Sequence, residues 1–195
     1  MDALREIMGI VASPRVLPVL LTPRLRLRPF DVGDADDVQR LAGDFAVADT
    51  TLAIPHPYDV GMAERWIATL PEEFTAGQQV VLAVGDRATA VLVGAIGLIL
   101  RPEHSRAELG YWIGRPFWGR GYATEAAGAM LRYGFETLGL RRLYACHFAR
   151  NPASGRVLEK VGMRQEGIAR AHAQRWNRFE DLVQYGILRE EFDRR

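Results

Sequence analysis

The stretch FWGRGYATEA, residues 117–126, carries the clearest chemical signal in the chain. Gly119 and Gly121 stand at the beginning of a predicted helix, where each glycine costs roughly 1 kcal/mol relative to alanine. Glycine lets a ligand approach the backbone closely, and the first N–H groups of a helix have no partner within it. The positive end of the helix dipole also attracts an anion. These features predict a phosphate or pyrophosphate site across residues 119–124.

Two common phosphate motifs fit these residues poorly. A P-loop requires a lysine after its last glycine, and no lysine follows Gly119 or Gly121. A Rossmann fingerprint has a third Gly or Ala where Thr124 stands, and it opens the first β-α unit of its domain. Here the glycines lie past the middle of the chain, after a run of predicted strands. The phosphate site is therefore expected to belong to another kind of fold.

The elements that must position this loop follow from hydrophobic spacing and turn residues. Period-2 alternation and apolar runs predict about seven strands, the fourth of them broken at Gly110, where a bulge is expected. Helical spacing predicts about four helices, the last opened by Asn151 and Pro152. The strands fall at residues 24–30, 79–84, 89–100, 107–113, 141–148, 163–169 and 180–188, and the helices at 34–43, 62–75, 121–138 and 151–162. This succession predicts a layered α+β domain around a mixed sheet.

Composition narrows the class of protein. With 48% hydrophobic and 25% charged residues among 195, the chain has the profile of one globular domain. A net charge of +1 argues against nucleic-acid or membrane-surface binding. Cys146 is the single cysteine, and the four histidines lack ligand spacing, so neither a disulfide nor a metal site is expected. Residues 1–20 are interpreted as an N-terminal extension that is unlike a signal peptide, with a short helix or a ragged segment over residues 1–9, and a cytoplasmic location is expected.

Several motifs in order resemble the GNAT acetyltransferase superfamily, in particular its RimJ/RimL branch of ribosomal-protein N-terminal acetyltransferases. They are TPRLRLRPF, ELGYWI, FWGRGYATEA and NPAS…LEKVGM, and the resemblance covers about residues 21–190. Gly121 and Ala123 match the last two fixed positions of the superfamily's acyl-CoA loop. Trp118 stands where Gln or Arg is usual in the superfamily, but a tryptophan is common there in this branch. The resemblance assigns residues 21–195 to one GNAT-like domain.

The resemblance implies acetyl-CoA as the acyl donor and a mostly antiparallel sheet that splays between its fourth and fifth strands. Pantetheine would lie in that gap and bond to the fourth strand like an added strand. Arg120 would face the diphosphate or the 3′-phosphate, and Asn151 would hold amides of the donor. The residues expected to bind acetyl-CoA are Trp112, Ile113, Trp118, Gly119, Arg120, Gly121, Tyr122, Ala123, Thr124, Asn151, Ser154 and Arg156.

Acetyl transfer needs a neutral amine and a proton for the departing thiolate. Glu108, on the predicted fourth strand, is the candidate base. By resemblance Ser154 is the candidate acid, because Glu159 stands where many superfamily members have a tyrosine. Cys146 is expected to be buried by packing rather than to carry an acyl group, because its neighbour His147 must point to the opposite face of the strand.

The acceptor site is expected in the loop at residues 54–58, the helix that follows it and the polar loop near residues 170–178. The residues expected to contact the acceptor are His56, Tyr58, Trp66, Tyr111 and Arg175. By resemblance the acceptor is a protein N-terminal α-amine, with a small amine such as an antibiotic, polyamine or amino acid as the alternative. A non-catalytic acyl-CoA-binding module is the rival from another class, and the resemblance makes a homodimer plausible.

Overall fold

The computed structural model describes residues 16–194, in which one sheet carries helices on both faces. The predicted short helix or ragged segment at residues 1–9 lies outside these residues, as does most of the predicted extension. Leu17 and Leu20, the last part of that extension, already pack against the core. No helix in the described part of the chain is both long and apolar enough to cross a membrane.

Eight strands form the sheet, in the order β1-β2-β3-β4-β5-β6-β8-β7. Seven correspond to the predicted strands, and the eighth is a two-residue addition at the edge. The pattern of alternating burial along β2 reproduces the period of two that predicted it. The strands are β1 Leu20–Leu21, β2 Leu25–Arg28, β3 Gln79–Asp86, β4 Leu92–Arg101, β5 Arg106–Ile113, β6 Arg142–Phe148, β7 Arg164–Arg175 and β8 Arg178–Leu188.

Within residues 16–194, six α-helices accompany the sheet, and the four longer ones are those that the spacing predicts. Gly121 precedes α4 in a left-handed conformation, and Asn151 caps α5 by accepting a hydrogen bond from the N–H of Ser154 at 3.4 Å. A π-helical turn, Tyr133–Thr137, extends α4. The helices are α1 Ala35–Ala42, α2 Phe45–Ala48, α3 Met62–Thr75, α4 Tyr122–Arg132, α5 Pro152–Lys160 and α6 Arg189–Phe192.

The sheet opens between β5 and β6, which is the predicted position of the splay. These strands are parallel and pair at only three positions, from Arg106 with Arg142 to Glu108 with Tyr144. By contrast, β5 pairs with β4 along its whole length and β6 pairs with β8 over seven positions. Beyond Glu108 the facing edges of β5 and β6 therefore present backbone groups that a ligand can pair with.

The predicted bulge at Gly110 is wrong. The register of β4 and β5 runs without a shift, and Gly110 lies opposite Gly97. A Cβ built on Gly110 would meet nothing within 4 Å. The glycine instead leaves open space beside the strand at this position.

The two faces of β5 serve different layers. Ala107 and Leu109 point into the main core with α4, while Glu108 and Trp112 point to the side on which α1 and α3 pack. A site in the gap between β5 and β6 can therefore receive groups from both layers.

Candidate active site

The loop before α4 has the geometry of an anion site. Gly119 and Gly121 have φ angles of 74° and 79°, a region that favours glycine. Within the described residues no side chain caps α4, so its first N–H groups remain available. A Cβ on Gly119 would meet nothing within 4 Å, which leaves the approach to the backbone open. These residues fit a pyrophosphate, as the sequence predicts.

Contacts from other elements hold this loop in place. The hydroxyl of Tyr122 donates to Asp86 at 2.8 Å, and Arg24 donates to the carbonyl of Arg120 at 2.9 Å. Glu125, in the first turn of α4, accepts from the Arg24 guanidinium at 2.7 Å. Burial alone would raise the pKa of Glu125, but its hydrogen bonds hold that pKa below its usual range. Glu125 therefore has a structural role, because its bond to Arg24 fixes the loop against the strand edge.

A cavity of about 890 Å³ joins the loop to the opened edge of the sheet. Most of the predicted site residues line it. Three do not: Arg120, His56 and Arg175. The predicted residues that line the cavity are Tyr58, Trp66, Glu108, Tyr111, Trp112, Ile113, Trp118, Gly119, Gly121, Tyr122, Ala123, Thr124, Asn151, Ser154 and Arg156.

Arg120 and His56 have other surroundings. The Arg120 guanidinium lies over the Phe117 ring, 5.7 Å from its centre, and the residue is exposed beside the loop. His56 faces a shallow depression on the far side of the acceptor loop, where its Nδ1 lies 3.1 Å from the carbonyl oxygen of Gly43. Neither side chain faces the cavity that was expected to hold its ligand.

Arg175 supports the cavity wall from behind. Its guanidinium donates to the carbonyl oxygen of Ala48 at 3.0 Å and to that of Ile54, and it stacks on Trp176 at 4.0 Å. The β7–β8 hairpin is thereby attached to the segment that closes the acceptor end of the cavity. The polar loop suggested that Arg175 contacts the acceptor; in the structure Arg175 does not line the cavity, and its guanidinium binds these two carbonyl oxygens.

Glu108 and Cys146 face each other across the gap. The Cys146 thiol donates to Glu108 Oε1 over 3.7 Å, and both residues line the cavity. Burial and then the Glu108 charge raise the pKa of Cys146 to about 11. Cys146 is half-buried rather than fully packed, which corrects the sequence-based expectation, because the divergence of β5 and β6 leaves its sulfur at the cavity wall.

A hydroxyl pair lies on the other face of β5. The Tyr111 hydroxyl is 2.7 Å from Ser154 Oγ and 3.3 Å from the Ser154 carbonyl oxygen. Burial raises the pKa of Tyr111 to about 12. Tyr111, which was predicted to contact the acceptor, lines the cavity and also pairs with the candidate acid. Sequence reasoning missed this pair because the two residues are 43 positions apart.

His147 is a second polar group that sequence reasoning did not identify. It is 8% exposed, and its Nδ1 lies 2.8 Å from the carbonyl oxygen of Phe148, which requires a hydrogen on that nitrogen. In the described part of the chain, Nε2 has no hydrogen-bond partner. It lies close under α5, since a Cβ on Gly155 would come within 2.8 Å of it. Cys146 and His147 do point to opposite faces, as strand geometry predicts.

Among residues 16–194, no group of His, Cys, Asp and Glu side chains has the arrangement of a metal site. The groups of the cavity that can take part in chemistry are the Glu108 carboxylate, the Cys146 thiol, the His147 imidazole and the hydroxyl pair of Tyr111 and Ser154. The loop beside them fits an anion. Such a set can accept a proton on one side of the gap and donate one on the other.

Comparison with known proteins agrees with this geometry. Residues 24–164 match the acetyltransferase (GNAT) domain family. The uncharacterized N-acetyltransferase p20 of Bacillus licheniformis is 29% identical over 177 residues, 90% of this chain and 99% of p20. The "Putative ribosomal N-acetyltransferase YdaF" of Bacillus subtilis is 38% identical over 103 residues, 52% of this chain and 56% of YdaF. A GNAT acetyltransferase structure from Bacillus anthracis superposes with a TM-score of 0.78 at 27% identity, covering 89% of this chain and all of that one. The chain belongs to the GNAT acetyltransferase family and is an acetyl-CoA-dependent N-acetyltransferase.

Proposed function

We propose that this enzyme acetylates the N-terminal α-amine of a protein by direct attack on acetyl-CoA. One observation carries the proposal: the gap between β5 and β6 has the Glu108 carboxylate on one face and the Ser154 hydroxyl on the other, inside one cavity. The resemblance to YdaF, which is named as a ribosomal N-acetyltransferase, supports a protein acceptor. We expect the enzyme to work in the cytoplasm.

Acetyl-CoA is proposed to bind along the open edge of β5. Its diphosphate would accept hydrogen bonds from the main-chain N–H groups of residues 119–124, and its pantetheine amides would pair with β5 near Trp112 and Ile113. Arg156, exposed on α5 and at the cavity wall, supplies a positive charge near the phosphates. This placement brings the thioester to the centre of the gap, between Glu108 and Ser154.

In the proposed reaction the acceptor ammonium gives a proton to Glu108, and the neutral nitrogen attacks the thioester carbon. A main-chain N–H on the open edge of β5 stabilises the oxygen as it gains charge. The N–C bond forms, the C–S bond breaks, and the departing thiolate takes a proton from Ser154. Tyr111 returns a proton to Ser154 through their hydrogen bond. The new amide nitrogen loses its second proton to solvent, Glu108 releases its proton to solvent, and Tyr111 takes a proton back from solvent. Of the two protons that the ammonium loses, one is balanced by the proton that the sulfur gains and one is released.

Direct transfer is favoured over an acyl-cysteine route. A thiol with a pKa of about 11 is almost entirely protonated near neutral pH, and the thiolate is the reactive nucleophile. Burial and the neighbouring Glu108 carboxylate are the causes of this raised pKa. Cys146 therefore fits a group of the cavity wall better than an acyl carrier.

The test measures release of CoA thiol with N-terminal peptides and with small amines as acceptors. Glu108→Gln should lower kcat by about 10² to 10⁴-fold, the range for a general base, while the Kd for acetyl-CoA stays unchanged. Glu103→Gln is the matched control, since Glu103 lies in the exposed turn just before β5. Full activity of Glu108→Gln would refute the base assignment, and acetyl-CoA binding without transfer to any amine would favour a non-catalytic module.

A further inference from the structure

The acceptor end of the cavity differs in chemistry from the donor end. The donor end holds the glycine loop and the cations Arg156 and Lys160. The acceptor end lies between α1, α3 and the segment after α2. It is lined mainly by apolar side chains: Val38, Val47, Leu52, Ile54, Met62 and Trp66.

The floor of the acceptor end is also apolar. Val81 of β3 and Ile99 of β4 line the cavity from the sheet, and Ile99 is 38% exposed. Leu52, on the facing segment, is 47% exposed. Large apolar side chains that stay exposed in a concave wall gain free energy when a ligand covers them. Ile99 and Leu52 thus form apolar surface that no other part of the described chain covers.

Negative charge is scarce in this cavity. Among the described residues that line it, Glu108 is the one carboxylate. A polyamine that entered would bring several ammonium groups, and each buried charge needs a partner. An acceptor with one amine and an apolar group beside it meets no such cost: the amine faces Glu108 and the apolar group covers Leu52 and Ile99.

The wall is held in a fixed position. Arg175 ties the carbonyl oxygens of Ala48 and Ile54 to the β7–β8 hairpin. Arg150 pairs with Asp49 at 2.8 Å, in the same segment. The Trp66 ring packs edge-on against Phe30, with centroids 4.9 Å apart. A wall fixed by these contacts selects for the shape and polarity of what enters.

We infer that the acceptor amine carries a large apolar group, so that the preferred N-termini begin with residues such as leucine or phenylalanine. This inference rests on the proposed function and specifies its substrate class. Leu52, Ile99 and Trp66 are the residues that determine the preference. A serine side chain would leave this surface exposed, and a lysine or aspartate side chain would bring an unpaired charge against it.

The experiment compares peptides that are identical after their first residue, which is Leu, Phe, Ser, Ala, Asp or Lys. Leucinamide, phenethylamine and spermidine test free amines, and an N-acetylated Leu peptide is the blank. We expect kcat/KM for Leu and Phe peptides to exceed that for Ser by at least about tenfold, because one buried methylene group already changes kcat/KM by roughly that factor. Preference for Ser, Asp, Lys or spermidine would overturn the inference and leave acetyl transfer intact.

Variants assign the preference to the wall. Leu52→Asp and, on another element, Ile99→Thr should each lower kcat/KM for the Leu peptide about tenfold or more while the Kd for acetyl-CoA stays within about twofold. Val60→Asp is the matched control, because Val60 is 82% exposed and does not line the cavity. Unchanged selectivity in both wall variants would overturn the assignment of these residues.

Efficient acetylation of phenethylamine with poor peptide turnover would support the apolar preference and refute the protein acceptor. No turnover of any amine would refute the proposed function itself.

Discussion

The hydroxyl pair Tyr111–Ser154 allows the proposed protonation of the leaving thiolate to be tested atom by atom. Ser154→Ala removes the oxygen that would meet the sulfur. Tyr111→Phe keeps that oxygen and removes the group 2.7 Å behind it. If the two act in series, the Tyr111 hydroxyl matters only when Ser154 is present.

The magnitudes follow from this arrangement. A positioned general acid contributes about 10² to 10⁴-fold, and we expect the lower end for Ser154→Ala because water can enter the open cavity and replace the proton donor. Tyr111→Phe removes one hydrogen bond, about 1 kcal/mol, and should reduce kcat roughly five- to tenfold. The double variant should then resemble Ser154→Ala alone, within about twofold, rather than show the product of both effects.

The pH dependence gives a second expectation. Burial raises the pKa of Tyr111 to about 12, so the relay keeps its proton throughout the usual assay range. The rate constant kcat should therefore rise as the acceptor amine loses its proton and should then remain level up to about pH 10. A donor that ionised near pH 8 or 9 would instead produce a falling alkaline limb.

The assay is single-turnover release of CoA thiol, which isolates the chemical step from product dissociation. Tyr133→Phe is the matched control, since Tyr133 is 4% exposed in the core and does not line the cavity. Its hydroxyl has no partner within the described residues, so its removal should leave kcat unchanged. Multiplicative effects of Tyr111→Phe and Ser154→Ala, or an alkaline limb below pH 10, would refute the relay.

Three further outcomes are expected. Gly119→Ala and Gly77→Ala place alanine at φ angles of 74° and 69° with nothing near the new Cβ, so each should destabilise the fold by about 1 kcal/mol. Only Gly119→Ala should also raise the Kd for acetyl-CoA, about tenfold as measured by calorimetry. Burial alone would raise the pKa of Asp34, but two hydrogen bonds from Arg28 at 2.7 Å outweigh burial and hold that pKa below its usual range. The ionised Asp34 therefore stabilises the fold fully above about pH 4, and this stabilisation is lost as the pH falls through the folded-state pKa. Asp34→Asn should cost about 2–3 kcal/mol at pH 7 in urea unfolding and should make stability less sensitive to pH below 4. Because its pKa is about 11, Cys146 should react with iodoacetamide at pH 8 about a hundredfold more slowly than an ordinary exposed thiol, as mass spectrometry of the alkylated fraction would measure.

Local features of the sequence predicted the backbone geometry at the beginnings of α4 and α5. Gly119 and Gly121 stand out because glycine at the beginning of a helix lowers the stability of that helix. Both adopt the left-handed conformation, which favours glycine and explains why these residues are glycines. Asn151 caps its helix as its position indicates. In each case the sequence pattern and the local structure that it predicts lie within a few residues of each other. These features could therefore be predicted without any information about contacts between distant parts of the chain.

The Tyr111–Ser154 pair had no such local signal. Each residue is unremarkable in its own element, and the pair exists only because α5 packs beside the open edge of β5. The surroundings of Arg175 had no local signal either. A polar, aromatic loop is compatible with ligand binding, but the Arg175 guanidinium donates to the carbonyl oxygens of Ala48 and Ile54, more than 120 positions away. Contacts between distant segments decide such roles, and periodicity contains no information about them.

The acceptor surface shows why a functional cavity is hidden in an apolar sequence pattern. Val81 and Ile99 lie on strands whose apolar character predicts burial, and most residues of those strands are buried. They line a cavity because the segment after α2 stands away from the sheet, held there by Arg175 and by the pairing of Asp49 with Arg150. If this segment packed directly against the sheet, the side chains of Val81 and Ile99 would be part of the hydrophobic core. Loss of the Arg150–Asp49 pair should therefore affect acceptor selectivity before it affects acetyl-CoA binding, because the donor loop is held by a separate set of contacts around Arg24.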